Sequence, residues 1–215
     1  MTSSDEFFKA VARIRNIVIR HPQFDFAYNT LVDAYEMNRQ VGVAQNYLFV
    51  GESGTGKSTI KNMLVRHFPS RRTKEVSLMP ILTIDTPSLP TVKNLAEELL
   101  MRLGDPQFSR GSAIDKTSRI LRYLKSCEVK LMIIDELQHF IDQGNRKAPR
   151  EVSDWLKSLI EQANVATVLM GLSRSEMILD VNEQLRRRFS RRIDLRPFSL
   201  THDEDRLSFM RVLKI

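Results

Sequence analysis

A glycine-rich run, GESGTGKS at residues 51–58, separates two apolar segments of different character. The segment before it, residues 47–50, is short and uniformly apolar, which predicts a buried strand. The segment after it, residues 59–68, has the apolar spacing of a helix. Glycine lets the backbone turn tightly and bring its N–H groups close to an anion. The first turn of the helix adds unpaired N–H donors, so the run predicts a phosphate-binding loop.

The spacing of this run is G-x-x-x-x-G-K-[ST], that of the P-loop of nucleotide-hydrolysing proteins. Lys57 is expected to reach the β- and γ-phosphates, and the Ser58 hydroxyl is expected to ligate Mg²⁺. No guanine-recognition motif of the form N-K-x-D or T-K-x-D occurs, which favours ATP over GTP. The predicted nucleotide-binding residues are Gly51, Glu52, Ser53, Gly54, Thr55, Gly56, Lys57, Ser58 and Thr59.

Strands and helices alternate along most of the 215 residues. Strands are predicted at residues 46–50, 81–84, 129–134, 165–170 and 193–195, with helices between them. Thr91 is expected to cap one helix, and Ser112 or Asp115 the next. This order predicts an α/β fold with a five-stranded parallel sheet sandwiched by helices. Residues 69–74 are predicted to form an exposed basic loop.

Residues 1–45 form a predicted N-terminal helical extension before the core at residues 46–198. Apolar spacing predicts helices near residues 7–18 and 26–39, separated by His21-Pro22 because the residue before proline disfavours helix. This extension could pack over the base of the nucleotide, serve as an arm for a partner, or cover one side of the core. Its sequence leaves these three roles open.

A second signal is the apolar run at residues 131–134 followed by Asp135 and Glu136. This is the Walker B pattern. Asp135, at the carboxyl end of a strand, is predicted to hold Mg²⁺ directly or through water. Glu136 is predicted to polarise the attacking water, a contribution of about 10²–10⁴ in rate. An acidic pair in this position predicts an ATPase.

A third signal is arginine at five of the seven positions 186–192. In an oligomeric ATPase, one arginine from a neighbouring subunit reaches the γ-phosphate and can add about 10³–10⁵ in rate. Arg188 is the predicted finger and Arg187 the second candidate. A DNA-facing basic patch and a solvated surface remain the alternatives, with Arg191 and Arg192 more open to them.

Composition limits the setting in which these motifs act. The net charge of +7 suits a polyanion, either nucleic acid or an acidic lipid surface. A single cysteine allows no disulfide within the chain, and no apolar run approaches the ~20 residues that span a bilayer. The first residues lack the features of a signal peptide. We therefore expect a cytoplasmic protein.

The order GESGTGKS, LMIIDE, VLMG, NEQLRRRF and RIDLRPF resembles the TniB/TnsC family of AAA+ regulators of DNA transposition. The resemblance spans roughly residues 46–198. It implies an ATPase that assembles on duplex DNA as a ring or helical filament and recruits a transposase, often with a TniQ-type target selector. Relatives place a polar sensor after the glycine of strand four; here Leu172 follows Gly171, which leaves Ser173 as the candidate sensor.

The resemblance also implies where DNA would bind, whereas the C-terminal lid is a departure from the family pattern. Residues 199–215 are expected to begin a truncated C-terminal lid, reduced or absent, so hydrolysis is expected to be slow or stimulated by a partner. The channel-facing positions carry the candidate DNA contacts Lys93, Arg110, Ser112 and Lys116, although ordinary exposed charges explain each one singly. Phosphate contacts of this kind predict sequence-independent, salt-sensitive binding. Two alternatives stay open: a helicase-loader-type AAA+ ATPase, and a nucleotide-gated scaffold with little hydrolysis.

Overall fold

The computed structural model describes residues 6–9, 11–12, 18–73, 77–142, 147–180, 182–199, 201 and 203–213; for residues 147–149, 204 and 211–213 it describes the backbone alone. The strands are β1 (Tyr47–Gly51), β2 (Arg71–Arg72), β3 (Ser77–Leu78), β4 (Ile81–Asp85), β5 (Leu131–Asp135), β6 (Ala166–Gly171) and β7 (Arg191–Leu195). The helices are α1 (Pro22–Val41), α2 (Lys57–His67), α3 (Val92–Leu103), α4 (Ala113–Ser126), α5 (His139–Asp142), α6 (Lys147–Ala163), α7 (Met177–Asp180), α8 (Glu183–Arg188) and α9 (Asp203–Leu213). No helix among these described residues is long and apolar enough to cross a bilayer.

Within the described part of the chain, five parallel strands form the main sheet in the order β4-β5-β6-β1-β7. Phe49 at the middle of β1 pairs with Met170 of β6 on one side and with Ile193 of β7 on the other. The inner strands are apolar on successive residues because helices cover both faces of the sheet. The predicted five-stranded parallel sheet is confirmed, and each predicted strand end lies within two residues of the observed one.

Two apolar layers hold this sheet. On one face, α1 and α2 pack against β1, β5, β6 and β7, and on the other face α3, α4 and α6 pack against β4, β5 and β6. The two layers are centred on fully buried side chains, among them Leu31, Phe49 and Ile60 in the first and Leu99, Met132 and Leu156 in the second. This packing fixes the carboxyl ends of the parallel strands at a common edge.

Helix α1 covers one side of the core, which is one of the three roles considered for the N-terminal extension. Its Asn38 Nδ2 donates to the Asn164 carbonyl at 2.9 Å, and the Tyr28 hydroxyl lies 2.6 Å from His67 Nδ1 of α2. The helix begins at Pro22, four residues before the predicted start. Proline suits the first helical position because the amide hydrogen that it lacks would be unpaired there. Residues 7–9 and 11–12 are helical as predicted, whereas residues 10 and 13–17 of that predicted helix lie outside the described residues. Val18, its predicted last residue, is not helical.

The prediction of a loop over residues 69–74 is wrong in part. Arg71–Arg72 pairs with Ser77–Leu78 in an antiparallel ladder, although both arginines are exposed as expected. Two paired residues are too few to produce an alternating pattern in the sequence. Lys74 lies outside the described residues.

Side-chain caps fix the beginnings of α3 and α4. Thr91 Oγ1 accepts a hydrogen bond from the Asn94 amide at 3.1 Å, as predicted. Ser112 is the N-cap of α4 and forms a capping box with Asp115: its Oγ accepts from the Asp115 amide at 3.2 Å, and its own amide donates to Asp115 Oδ2 at 2.9 Å. The hydroxyl and then the amide of Ser112 hold the pKa of Asp115 below its usual range. Ser112 is therefore used by the fold itself.

Replacing Ser112 by alanine removes the hydroxyl that caps α4. We expect the free energy of unfolding to fall by about 1 kcal/mol, the usual cost of losing such a cap, in urea unfolding followed by circular dichroism. Ser126→Ala, at the other end of the same helix, is the matched control and should cost less than about 0.5 kcal/mol. Equal effects of the two substitutions would contradict the capping role.

Candidate functional site

The glycine-rich loop connects the end of β1 to the start of α2, as the sequence predicts. Gly56 precedes the helix with φ of +106°, a left-handed conformation that is strained for any residue with a side chain. Gly51 ends β1 beside Leu195 of the neighbouring strand β7: a Cβ at this position would lie 2.4 Å from the Leu195 carbonyl oxygen. Both glycines are thus required by backbone geometry. The first N–H groups of α2 have no acceptors in their own helix, and they are available to an anion.

Lys57 is the first residue of α2, and its side chain folds back over the loop. Its Nζ donates to the carbonyl oxygens of Gly51 at 2.6 Å and of Glu52 at 2.9 Å. Burial, the largest influence, lowers the pKa of Lys57, while the charges of Asp135, Glu136 and Glu52 oppose that shift. Among the described residues, the close hydrogen-bond partners of this ammonium are two neutral carbonyls, so it is well placed to bind a phosphate.

Asp135 and Glu136 lie at the carboxyl end of β5. Asp135 is 4% exposed, and its Oδ1 accepts a hydrogen bond from the Glu136 amide at 2.8 Å. Thr86 secures this end of the strand, because its amide and hydroxyl both donate to the Asp135 carbonyl, at 2.8 and 2.7 Å. Glu136 has φ of +58°, a left-handed conformation that is uncommon for a residue other than glycine. Backbone outliers of this kind cluster at functional sites, which makes Glu136 a candidate site residue.

The loop and the acidic pair face each other across a cavity of about 300 Å³. Its lining includes the predicted residues Ser53, Gly54, Gly56, Lys57, Ser58, Thr59, Asp135 and Glu136. Gly51, Glu52 and Thr55 support the loop from behind, with Thr55 Oγ1 donating to the Glu52 carbonyl at 2.8 Å. Carboxylate and hydroxyl oxygens are the ligands that Mg²⁺ prefers, so Ser58 and Asp135 fit that ion. Three further residues of the described part of the chain line the cavity. Gln138 was missed by the sequence reasoning, whereas Gly171 and Leu172 were named there only as neighbours of the candidate sensor.

Lys61 is a further residue that the sequence reasoning missed. Its Nζ lies 2.6 Å from Asp135 Oδ2 and 3.0 Å from Asp85 Oδ1, so it bridges the ends of β5 and β4. Burial lowers the pKa of Lys61, but the hydrogen bonds and charges of Asp135 and Asp85 outweigh it and raise the pKa above the ordinary value. The signal was present in the sequence: Lys61 follows Lys57 by four residues, so both face the same side of α2.

The end of β6 forms the floor of the cavity. The candidate sensor Ser173 is exposed, and its Oγ donates to Glu52 Oε1 at 2.9 Å, which connects it to the phosphate loop. Leu172 lines the cavity with an apolar side chain, and its amide donates to Gln138 Oε1 at 3.3 Å. Gln138 Nε2 in turn donates to Glu136 Oε2. The floor therefore links the acidic pair to the loop.

The predicted arginine fingers lie away from this cavity. Arg188 Nη2 is 2.7 Å from Glu161 Oε1, and the Arg188 side chain is 32% exposed. Arg187 pairs with Glu183 at 2.6 Å and is more exposed, at 76%. Neither residue is among the described residues that line the cavity. Within one chain they do not contact the site, which is the arrangement expected if the finger acts on a neighbouring copy.

The candidate DNA contacts divide into two groups. Lys93 and Arg110 are exposed near the beginnings of α3 and α4. Ser112 is exposed but its hydroxyl serves the capping box. The prediction for Lys116 is wrong: it is 1% exposed, and its Nζ donates to the Ser109 and Gly111 carbonyls, both at 2.9 Å, and lies 3.3 Å from Glu97 Oε1. Lys116 instead fixes the loop before α4.

Replacing Lys61 by methionine keeps the length of the side chain but removes the cation beside Asp135. We expect the free energy of unfolding at neutral pH to fall by about 2 kcal/mol, because a buried carboxylate is left without its partner. Since the pKa of Lys61 is raised, its stabilising charge is fully present at neutral pH and is lost only when the pH rises past that pKa. Urea unfolding measures the loss; the exposed Lys125→Met is the control, and equal stability of the two variants would contradict the bridging role.

Comparison with solved structures shows the fold. The chain is similar to the Aeropyrum pernix ORC2 protein, solved as ADPNP-ADP complexes, with a TM-score of 0.66 and 17% identity over 93% of this chain and 53% of that one. It is also similar to the A. pernix ORC1 protein in complex with DNA, with a TM-score of 0.62 and 15% identity over 92% and 51%. For Cdc6p from Pyrobaculum aerophilum the TM-score is 0.60 and the identity 14% over 92% and 50%. The chain thus spans about half the length of these proteins.

These likenesses confirm the predicted fold class, a P-loop ATPase fold of the AAA+ type. A comparison with curated proteins finds no match. The family model described as the bacterial TniB protein matches residues 11–199, which is most of the sequence. The chain therefore belongs to the bacterial TniB protein family.

Proposed function

We propose that this protein is an ATP-dependent, DNA-binding AAA+ regulator that assembles on duplex DNA and recruits or activates a transposase there. The observation that supports this most directly is the cavity that brings Lys57 and Ser58 together with Asp135 and Glu136 in a chain of the TniB family. A TniQ-type target selector is the further partner that we propose.

The triphosphate of ATP would lie across the amides at the start of α2, with Lys57 moving from the two carbonyls to the β- and γ-phosphates. Ser58 and Asp135 would hold Mg²⁺, which would neutralise charge on the phosphates. Phe24 of α1 packs against Gly56, 3.5 Å from the position of a Cβ there. Beside Phe24, a second cavity of about 310 Å³ between α1 and α9 offers a place for the base; its lining is His21, Pro22, Gln23, Phe198, Asp205, Leu207 and Ser208.

Hydrolysis would use Glu136 as the general base. Its carboxylate would take a proton from water as the water oxygen attacks the γ-phosphorus and the bond to the departing ADP breaks. Arg188 of one copy would reach the γ-phosphate held by the next copy, since it lies outside the cavity of its own chain. The ion pair with Glu161 would have to open first. ATP hydrolysis would therefore be slow until assembly brings the arginine of another copy to the site.

DNA would be bound through its phosphates. Lys93 and Arg110 are exposed and near the beginnings of two helices, where N–H groups also favour phosphate. The net charge of +7 adds a general attraction to a polyanion. Neither residue needs to read a base, so binding would be independent of sequence and strongly salt-dependent.

A second candidate function is a nucleotide-gated scaffold in which hydrolysis matters little. One observation favours it: the place of the polar sensor is taken by Leu172, while Ser173 is bonded to Glu52. Phosphate release, measured with DNA and transposase present, separates the two functions.

The assembly experiment tests the proposed function. Duplex DNA and a slowly hydrolysed ATP analogue together should convert the protein into rings or filaments that electron microscopy resolves. Glu136→Gln should form the same assemblies with ATP itself and retain them, because it binds nucleotide but loses the base. Monomers under all of these conditions would refute the proposal.

Mixing two inactive variants tests the finger in trans. Arg188→Ala retains Glu136, and Glu136→Gln retains Arg188, so each alone should be inactive while contacts between them restore complete sites. In an equal mixture about one interface in four has the productive order, so phosphate release should return to about a quarter of the wild-type rate. Arg187→Ala is the matched control and should be active alone. A mixture that stays inactive would assign Arg188 another role.

A further inference from the structure

Gln138 is a buried polar residue inside the candidate site that the proposed function does not use. It follows β5 by three residues, is 9% exposed and lines the main cavity. Both ends of its amide are bonded: Nε2 donates to Glu136 Oε2, and Oε1 accepts from the Leu172 amide at 3.3 Å. A buried amide with a defined partner at each end holds one orientation.

The glycine at the end of β6 makes room for this contact. A Cβ on Gly171 would lie 3.1 Å from Gln138 Oε1, 3.0 Å from Leu137 Cβ and 2.6 Å from Ser175 Oγ. Any side chain at position 171 would therefore displace the Gln138 amide or the turn that begins at Ser173. The absence of a side chain at Gly171 is what lets Gln138 reach from β5 to the end of β6.

The bond from Gln138 determines which oxygen of Glu136 is free. Because Oε2 accepts from Gln138, Oε1 remains to accept a proton from water. Glu136 has a left-handed backbone with φ of +58° and lines the cavity, and the Gln138 amide holds one of its carboxylate oxygens there. Gln138 thus orients the group to which the general-base role is assigned.

The other end of Gln138 leads to the phosphate loop. Gln138 Oε1 accepts from the Leu172 amide. The next residue is Ser173, and its hydroxyl donates to Glu52. The side chain of Leu172 offers no polar group to a γ-phosphate, whereas the Gln138 amide joins Glu136 to the backbone after β6. A shift of the loop can reach Glu136 through this series of bonds.

We propose that Gln138 is a positioning residue that aims the Glu136 carboxylate at the attacking water and couples its position to the end of β6. This inference rests on the proposed ATPase activity. It assigns a role to the residue, separate from nucleotide affinity, because Gln138 contacts no part of the phosphate loop directly.

Gln138→Met removes both hydrogen bonds at nearly constant volume. The kcat of ATP hydrolysis should fall at least about tenfold, a part of the contribution of the general base, while nucleotide affinity changes less than about twofold. The matched control is Gln162→Met, at an exposed glutamine of α6 whose amide donates to Ser158, and it should match the wild type.

Gln138→Glu keeps the shape of the side chain and its acceptor for Leu172, but places a second carboxylate against Glu136. Like charges favour protonation, so the acid limb of the pH–rate profile should move up by about one unit. A merely structural role would leave this limb in place. An unchanged kcat in Gln138→Met, or an unshifted profile in Gln138→Glu, would overturn the inference; a wild-type protein without ATPase activity would instead refute the proposed function and this inference together.

Discussion

The order of the strands imposes the constraint on which the site depends. β6 lies between β1, which carries the phosphate loop, and β5, which carries the acidic pair, so the two halves of the site are separated by a whole strand. Three features close this distance. Gly171 at the end of β6 has no side chain and so leaves room for the Gln138 amide, Lys61 reaches from α2 to Asp135 at 2.6 Å, and Gln138 extends from the end of β5 to the backbone after β6. Open α/β sheets bind ligands in a crevice outside the carboxyl ends of their parallel strands. Here these three residues connect the two sides of that crevice.

The features that could be predicted from the sequence are those with short-range sequence patterns. The loop at residues 51–58, the apolar strand before Asp135 and the caps at Thr91 and Ser112 each follow from short-range patterns, and the structure contains all of them. Contacts between segments that are distant in sequence could not be predicted. Lysine is usually a surface residue, but Lys116 is buried and its Nζ contacts Ser109, Gly111 and Glu97. No pattern along the sequence predicts these contacts. Gln138 was missed because one of its two partners, the Leu172 amide, lies 34 residues further along the chain.

The separation of the arginines from the cavity gives a physical reason for coupling nucleotide chemistry to assembly. A finger that lies beside Glu161 of its own chain contributes nothing to its own site, so the site would be completed only by another copy. DNA, bound through exposed cations such as Lys93 and Arg110, would raise the local concentration of copies and favour that contact. Family membership and the AAA+ fold are consistent with this logic, which remains our proposal for this chain.

The central claim is that Lys57 and the amides at the start of α2 bind the phosphates of a nucleotide. Calorimetric titration with Mg²⁺–ATP of the wild-type protein, Lys57→Ala and the control Lys125→Ala tests it most directly. We expect wild type and control to bind with equal affinity and Lys57→Ala to bind at least about a hundredfold more weakly, a loss of about 3 kcal/mol for a charged hydrogen-bonding group. Equal affinity of all three proteins, or no binding by the wild type, would contradict it.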